Sequence, residues 1–307
     1  MVDLILEMHA QPLAKLKEND INACSRLAKA ESAAMSISSL KEKYPDLVVS
    51  MRKAAVLAGL EILDVYAQSD FGIQIKSDES PLTLADLRAD KAIATTLAEL
   101  VPDIPIVSEE TYTEGDRQRD AIFFLVDPLD GTKEFIKKTG EFTVNIALIV
   151  QGKAALGVVY VPVSGDLFYR DLDGLSYVES DASRVERRGQ IAQISCRAVD
   201  GQKITAVKSA SHSNEETEAF LRKYNPVQSK SAGSSLKFCL IARGAADLYP
   251  RLGRTMEWDT GAAHAVLKGA GGNVYRIDTF EELEYGKEVM DNPHFVAASN
   301  GLKLTQG

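Results

Sequence analysis

The sequence predicts an α/β protein of one large or two fused units, and three observations support this prediction. The chain has 307 residues, which exceeds the usual size of a single domain. Residues 142–178 contain four apolar, β-rich runs separated by Gly and Asp-Gly turns, a pattern typical of antiparallel hairpins. Residues 204–298 instead alternate strand-like and helix-like patterns, as α/β folds do.

Two predicted helices open the first half, after a segment over residues 1–46 that we interpret as a helical extension of unknown role. Apolar residues at helical spacing predict a core helix over 49–66. Thr83, followed three residues later by Asp86, resembles a capping box and predicts a second helix over 84–100. Short apolar or alternating runs predict strands at 71–76, 104–107 and 121–126.

The remaining elements divide the chain into two halves. Residues 180–200 are polar and irregular, so we predict a boundary there, with a first half over 47–190 and a second over 191–307. The predicted hairpin strands are 142–150, 154–161, 167–169 and 175–178. The second half has predicted strands at 204–207, 227–230, 246–249, 272–275 and 295–298 and predicted helices at 214–223, 234–242 and 259–268.

Composition and charge exclude several classes of function. The 35 Lys and Arg residues against 44 Asp and Glu give a formal net charge of −9, so a general nucleic-acid-binding surface is not expected. Cys24, Cys196 and Cys239 are widely spaced, which predicts neither a disulfide framework nor a zinc site and favours a reducing cytoplasm. No apolar run approaches the roughly 18 residues of a membrane span, and no signal-peptide pattern is present.

The candidate active centre is the segment Asp127-Pro128-Leu129-Asp130-Gly131-Thr132, which follows the apolar run 121–126. We expect Pro128 to end the strand, so that the two carboxylates can converge on one point. Mg²⁺ prefers such oxygen ligands. Gly131 permits close approach of the backbone to a ligand, and Thr132 adds a hydroxyl. A turn that caps the next helix is the structural alternative.

Two other acidic segments support the metal-site interpretation. Ser108-Glu109-Glu110 follows the predicted strand 104–107, and Glu257-Trp258-Asp259 precedes a helix. Asp259 alone is most simply an N-cap residue, and Asp86 a member of a capping box. Together, however, SEE, DPLDGT and EWDTGAA resemble the lithium-sensitive, magnesium-dependent phosphatase superfamily of inositol monophosphatases and fructose bisphosphatases. The resemblance implies a layered αβαβα sandwich of two mixed or antiparallel sheets with the metal site between them.

Within that superfamily the chain most resembles the bacterial 3'(2'),5'-bisphosphate nucleotidases, over about residues 49–300, through DPLDGTKEF, GEFTVNIALI, GSSLKFC and ADLYPRL. The resemblance implies removal of the 3'-phosphate of adenosine 3',5'-bisphosphate by a metal-activated water, giving AMP and phosphate. Activity on 3'-phosphoadenylyl sulfate is left open. The alternatives are an inositol monophosphatase or fructose-1,6-bisphosphatase and, in a different class, a non-catalytic nucleotide- or metal-binding regulator.

The same resemblance implies a role for individual residues. Two Mg²⁺ ions are expected per site, with a third left open. Glu110 and Thr132, the latter oriented by Asp86, are expected to position or deprotonate the water. The implied metal ligands are Glu109, Asp127, the Leu129 carbonyl, Asp130 and Asp259, and the implied substrate contacts near them are Glu109, Leu129, Asp130, Gly131, Thr132 and Asp259.

A bisphosphorylated nucleoside also carries a second phosphate, which needs cationic and hydrogen-bonding partners of its own. His212, Ser234, Lys237 and Arg251 match the family positions that hold this phosphate and the nucleoside. Each has a structural alternative, since the two cations can be surface charges and His212 a helix-entry residue. Ala210 stands where many relatives carry arginine, and whether a neighbouring lysine compensates is open at this point.

The expected partners follow from these inferences. The protein is expected to act on a small molecule and to bind no nucleic acid, and it contains no predicted integral membrane segment. It is expected in the cytoplasm as a monomer or homodimer. Peripheral attachment to the inner membrane is left open.

Overall fold

The computed structural model describes residues 36–76, 81–113, 121–183, 189–199, 203–209 and 214–305. The elements of its first half are α1 (Ile37–Lys43), α2 (Leu47–Tyr66), β1 (Gln74–Ile75), β2 (Pro81–Leu82), α3 (Leu84–Leu100), β3 (Ile106–Ser108), β4 (Ile122–Asp130), α4 (Thr132–Ile136), β5 (Thr143–Val150), β6 (Lys153–Val161), β7 (Asp166–Arg170), β8 (Ser176–Ser180) and β9 (Gln190–Gln193). Strands β3 to β9 form one sheet in chain order, antiparallel except for the parallel pair β3 and β4.

The second half forms a five-stranded mixed sheet with helices on both of its faces. Its elements are β10 (Thr205–Ser209), α5 (Glu215–Arg222), β11 (Gln228–Ala232), α6 (Leu236–Ala242), β12 (Leu248–Arg251), α7 (Gly261–Gly269), β13 (Gly272–Arg276) and β14 (Phe295–Ser299). The strand order is β11-β10-β12-β14-β13, with β10 parallel to both of its neighbours and the other pairs antiparallel.

Three apolar cores stack these elements into five layers. The helices α2 and α3 pack on one face of the seven-stranded sheet, where Ile62 and Ile93 share a core with Phe124. On its other face, α6 and α7 lie between the two sheets, and residues of both sheets enter the same core. Helix α5 covers the far face of the five-stranded sheet through Phe220 and Leu221. The layer order is therefore helix, sheet, helix, sheet, helix, as the family resemblance implied.

One glycine allows α7 to lie directly against the seven-stranded sheet. A Cβ atom at Gly157 of β6 would lie 2.1 Å from the Ala262 carbonyl oxygen on the first turn of α7. No side chain fits in that space, so glycine is required for this approach of two backbones. The contact matters for function because the turn that precedes α7 carries Asp259.

Three predictions need correction. Pro128 does not end its strand, since β4 continues to Asp130. The pairing with β5 shifts register between Asp127 and Asp130, and the proline falls in that interruption of the ladder, where no N–H is needed. The predicted strand 71–76 is paired only over β1. Residues 180–200 contain β9, a strand exposed along its whole length and therefore without an apolar pattern.

The predicted division at residue 190 stays a prediction, although β9 begins there and pairs with β8 of the first half. Of the predicted extension over residues 1–46, the described part begins at Ser36, whose side chain caps α1. Within the described part of the chain, no helix combines the length and the apolar character that crossing a membrane requires.

Candidate active site

Parallel pairing of β3 and β4 brings the first two acidic segments to one edge of the sheet. Ser108 is paired with Val126, and the Glu109 amide donates to the Val126 carbonyl at 3.0 Å. The chain therefore presents Glu109, directly after β3, beside Asp127, where the register of β4 shifts. Carboxylate oxygens of Glu109, Asp127 and Asp259 lie within 4.8 Å of one another. This acidic cluster (Glu109, Asp127 and Asp259) is the centre of the site.

Asp259 reaches the cluster from the turn before α7. Its carboxylate accepts a hydrogen bond from the Met256 amide at 2.8 Å, which holds the side chain across the turn. The N-cap residue of α7 is Thr260, without a side-chain capping bond, so the N-cap alternative for Asp259 is wrong. The Asp127 carboxylate is held in a similar way by the Leu129 amide at 3.0 Å.

The electrostatics of the cluster indicate an unbalanced negative charge. Burial raises the pKa of Asp127 well above its usual value, and repulsion from Glu109, Asp130 and Asp259 raises it further. Burial likewise raises the pKa of Asp259, with Asp130 and Glu109 as the main repelling charges. Carboxylates in such surroundings are stabilised by a cation. An all-oxygen donor set of this kind fits a hard divalent cation such as Mg²⁺.

Lys76 supplies part of the missing positive charge and was not predicted as a site residue. Its Nζ atom donates to Glu109 and to Glu110, at 2.8 Å in each case. Burial lowers the pKa of Lys76, but the charges of Glu109 and Glu110 outweigh burial, so the net pKa is above its usual value. No local pattern marks this residue, because its partners lie 33 and 34 positions further along the chain.

Asp130 is held by a buried polar network that connects the first half of the chain to the second. Its carboxylate accepts from the Ser235 amide at 2.6 Å and from Asn145 Nδ2 at 3.3 Å. Ser235 Oγ in turn donates to Asn145 Oδ1 at 2.7 Å, and Thr143 joins the same network. Burial raises the pKa of Asp130 to about 6, although Lys237 and the Ser235 amide oppose the shift.

This network was also missed, although a sequence signal existed for it. Thr143 and Asn145 alternate on β5 within an otherwise apolar run, and both are fully or almost fully buried. Polar side chains at core positions of a central strand need hydrogen-bond partners, so their presence indicates a buried network. The identity of the partner Ser235, 90 residues from Asn145, could not be read from the sequence.

The Thr132 hydroxyl is oriented by Asp86, as the resemblance implied. Thr132 Oγ1 donates toward Asp86 Oδ1 at 3.2 Å, with the Leu129 carbonyl at 3.4 Å. The other oxygen, Asp86 Oδ2, accepts from the Thr83 amide at 2.7 Å and from the Thr83 hydroxyl at 2.6 Å. The capping box is confirmed, and the functional role predicted for Asp86 is compatible with it, because the two use different oxygens of one carboxylate.

Glu110 shares the Lys76 ammonium with Glu109, and its side chain is almost completely buried. Burial raises the pKa of Glu110 to about 7, against the lowering effect of its hydrogen bond from Lys76. A carboxyl group with a pKa near neutrality can accept a proton in that range, which is the property a general base needs.

A cationic group forms the other end of the site, and Lys237 is its buried member. Only 6% of Lys237 is exposed, so the prediction of a site residue, not a surface lysine, fits its burial. Its Nζ atom donates to the Ser234 and Ala232 carbonyls and lies 5.3 Å from the ring centre of Tyr249. Burial lowers the pKa of Lys237 to about 8, although the charge of Asp130 opposes the shift.

The hydrogen-bond partners of Lys237 are uncharged, although the charges of Asp130, Glu134 and Asp259 act on it through space. Both hydrogen-bonding partners are neutral carbonyls, and no carboxylate lies within ion-pair distance of Lys237 in the ranges that the structure describes. Ser234 Oγ is buried and has no hydrogen-bond partner among the described residues. Ser234 also has a positive φ of 43°, a strained conformation for a serine. A buried hydroxyl without a partner beside a buried ammonium suits an anionic ligand.

Arg251 and Arg254 extend this cationic end (Lys237, Arg251 and Arg254). Arg251 lies at the end of β12, and its Nη2 atom donates to the Arg254 carbonyl at 3.1 Å. Lys208, which the sequence left open as a compensating cation, donates to the carboxylate of Glu218 at 2.7 and 2.8 Å and is thus engaged with α5. Ala210 and His212 lie outside the described residues.

One cavity of about 840 Å³ joins the acidic and cationic ends. Tyr112 and Trp258 pack against each other on its wall, with ring centres 5.5 Å apart. A volume in this range is typical of sites for small organic ligands. The predicted substrate-contacting residues that line it are Glu109, Asp130, Gly131, Thr132, Ser234, Lys237, Arg251 and Asp259.

The chain is similar in sequence to known phosphatases over most of its length. The model of the inositol monophosphatase family matches residues 44–305. Proteins named 3'(2'),5'-bisphosphate nucleotidase CysQ from Salmonella typhimurium and from Escherichia coli strain K12 are 46% and 45% identical over 220 residues. Each alignment covers 71% of this chain and 85% of the relative.

Solved structures give the same result for the fold. CysQ from Bacteroides thetaiotaomicron, described as a bacterial member of the inositol monophosphatase family, matches with a TM-score of 0.69 and 38% identity, over 81% of this chain and 96% of that chain. An inositol monophosphatase from Anabaena matches with a TM-score of 0.64 at 22% identity, over 85% of this chain and 91% of that chain, a likeness of fold alone. The family resemblance and the fold class read from the sequence are confirmed.

Proposed function

The chain belongs to the inositol monophosphatase family, and we propose that within this family it is a 3'(2'),5'-bisphosphate nucleotidase. Its proposed reaction is removal of the 3'-phosphate of adenosine 3',5'-bisphosphate. One observation carries the proposal, namely that Glu109 and Asp259 of the acidic cluster and the buried Lys237 line one cavity. A substrate with two separate phosphates fits such a cavity better than a monophosphate does, because each end has a charge to satisfy.

The residues at the acidic end suit Mg²⁺, and we assign them to hold it. Glu109, Asp127 and Asp259 have convergent oxygens, and Asp130 with the Leu129 carbonyl completes the proposed ligand set. When bound, divalent cations in such sites activate water and neutralise charge on the phosphoryl oxygens. Two ions per site remain our expectation from the family resemblance.

The residues of the chain position the water and the phosphate for in-line displacement. The Thr132 hydroxyl directs its hydrogen toward Asp86, which leaves its oxygen lone pairs able to accept a hydrogen bond from the attacking water. Glu110 is the proposed acceptor of the water's proton. The water oxygen bonds to phosphorus as the bond from phosphorus to the ribose 3'-oxygen breaks, and the ribose oxygen takes up a proton from solvent. The products are AMP and inorganic phosphate.

The cationic end holds the 5'-phosphate in this proposal. The Lys237 ammonium and the Ser234 hydroxyl offer donors from one short segment, and Arg251 adds a planar donor from β12. Charge-assisted hydrogen bonds of this type are stronger than neutral ones. They act on a phosphate that does not react, so they contribute mainly to substrate affinity and orientation.

The test is phosphate release with Mg²⁺ from adenosine 3',5'-bisphosphate, inositol 1-phosphate and fructose 1,6-bisphosphate at equal concentrations. We expect at least a ~100-fold preference in kcat/KM for the nucleotide, equivalent to about 3 kcal/mol. Equal or reversed rates would keep the metal site and reject the nucleotide assignment. No hydrolysis of any of the three would reject the phosphatase itself. Cytoplasmic location and the oligomeric state remain predictions.

A further inference from the structure

Glu257 is a buried acid that the proposed chemistry leaves without a role. It stands two residues before Asp259 in the third acidic segment, and its side chain is completely buried. It is not one of the three acids whose oxygens converge at the centre of the site. Burying a carboxylate is costly unless donors satisfy it, so its partners indicate what it does.

Its carboxylate is bound by a single turn on another segment of the chain. Glu257 Oε2 accepts from the Gly286 amide at 2.6 Å, and Oε1 accepts from the Lys287 amide at 3.0 Å. The Lys287 ammonium also donates to Oε1, at 2.5 Å. Gly286 has a positive φ of 75°, the conformation that presents these successive amides to one acceptor.

The backbone of Glu257 serves a different neighbour. Its carbonyl accepts from the amides of Thr260 and Gly261 at 3.1 and 3.0 Å, which starts α7 and closes the turn around Asp259. A substitution of the side chain leaves these backbone bonds in place. The side chain of Glu257 is therefore expected to hold the 286–287 turn in place, whereas its backbone holds the turn that carries Asp259.

The 286–287 turn leads directly into a wall of the cavity, the segment 288–291. The Met290 carbonyl accepts from the Glu257 amide at 2.8 Å, and Asn292 donates to Met256 and Thr260. Val289 projects from this wall with 61% of its surface exposed. An apolar side chain held open at a ligand cavity suits contact with the face of a base.

The same wall is bonded to the cationic end. Asp291 accepts from Arg254 Nε at 2.7 Å, and the Arg254 carbonyl accepts from Arg251 at 3.1 Å. A displacement of the 286–287 turn is thus expected to move the 288–291 wall and, through Asp291, the two arginines proposed to face the distal phosphate.

We infer that Glu257 is a positioning residue for substrate selectivity. It fixes the 288–291 wall and, through Asp291, the arginines of the cationic end, and it leaves the metal ligands unaffected. The inference rests on the proposed nucleotidase function, since it assigns the wall to the nucleoside and its distal phosphate.

The test compares Glu257→Gln, Lys287→Met and Lys287→Arg with wild-type protein. Gln keeps the shape of Glu257 but replaces one acceptor oxygen with a donor that opposes the amides. We expect a KM for adenosine 3',5'-bisphosphate at least tenfold higher in Glu257→Gln, with kcat within threefold and the half-activating Mg²⁺ concentration within twofold of wild type. Lys287→Met should raise KM about threefold, whereas Lys287→Arg, which keeps the positive charge, should have a KM close to that of wild type.

Glu284→Gln is the matched control, because Glu284 is a solvent-exposed acid two residues before the turn, paired with Lys153. An unchanged KM in Glu257→Gln and Lys287→Met, with a lower Tm, would reduce Glu257 to a structural residue and overturn the inference. A tenfold rise in the half-activating Mg²⁺ concentration with an unchanged KM would also overturn the inference. If Glu257→Gln fails to fold, the two Lys287 variants decide. Failure of the wild-type protein to hydrolyse the nucleotide would instead reject the proposed function.

Discussion

The acidic and cationic ends of the cavity differ in how the chain builds them. The acidic cluster comes from the residue after β3, from the register shift in β4 and from the turn before α7, and each acid belongs to a short contiguous motif. The cationic end comes from the first turn of α6, which carries Lys237, and from the end of β12 and the loop after it, all in the second half. Its main cation is buried among carbonyls and aromatic rings.

We expect the acidic end to carry out the reaction and the cationic end to recognise the substrate. The acids repel one another and need a cation before they can act, so damage there affects turnover. Lys237 needs an anion, and the anion proposed for it does not react, so damage there affects affinity. The following predictions test that separation, in order of decreasing effect.

Asp127→Asn is expected to lower kcat/KM by at least ~1000-fold, about 4 kcal/mol of transition-state stabilisation. Asn keeps the acceptor for the Leu129 amide and removes a charge that its neighbours repel, so the Tm of the metal-free variant should not fall. Steady-state kinetics and calorimetry measure both quantities. Asp64→Asn, at an exposed acid paired with Arg88, is the control. Near-normal turnover in Asp127→Asn would contradict the metal-ligand assignment.

Thr132→Val is expected to lower kcat by about 100-fold, or about 2.7 kcal/mol, with little change in KM. The methyl group replaces the hydroxyl that Asp86 orients, while the shape of the side chain is kept. Thr132→Ser should stay within tenfold of wild type, because the hydroxyl is retained. A loss in KM alone, or an equal loss in the serine variant, would argue against a role in positioning the water.

Lys237→Met is expected to raise KM for adenosine 3',5'-bisphosphate by about 30-fold, or about 2 kcal/mol, with kcat little changed. Any rate on inositol 1-phosphate should be unaffected, because that substrate has no second phosphate. Lys230→Met is the matched control, since Lys230 on β11 donates only to the Ala245 carbonyl in the described structure and does not line the cavity. A fall in kcat with an unchanged KM would show that the cationic end contributes to catalysis and would contradict the separation of the two ends.

Mg²⁺ at ten times its Kd is expected to raise the free energy of unfolding by about 1.4 kcal/mol, because it binds the folded acidic cluster and not the unfolded chain. Denaturant titrations with and without Mg²⁺ measure this increase. Lys237→Met should show the same increase as wild type, and Asp127→Asn a smaller one. Equal stabilisation of all three proteins would place the bound ion outside the acidic cluster.

Local patterns were sufficient for the acidic end and for most of the fold. Short β-rich runs followed by acids located the segments that carry Glu109 and Asp127, and covalent spacing alone keeps Asp127 and Asp130 together. The capped helix α3 has the bounds predicted from Thr83 and Asp86. Errors arose where the pattern is weak, as in the fully exposed β9, or where a bulge let Pro128 remain inside a strand.

By itself, the sequence identified the family, the layered fold and the acids proposed for the metal site, because each of these follows from short motifs whose own residues are nearly contiguous. The tertiary structure alone decided which neighbours complete the site. Lys76 meets Glu109, Ser235 meets Asp130 and Glu257 meets Lys287 across separations of 30 to 105 residues. Burial and charge balance arise from such distant contacts, so the burial of Lys237 and the partners of Glu257 appear only when the sheets and helices have packed.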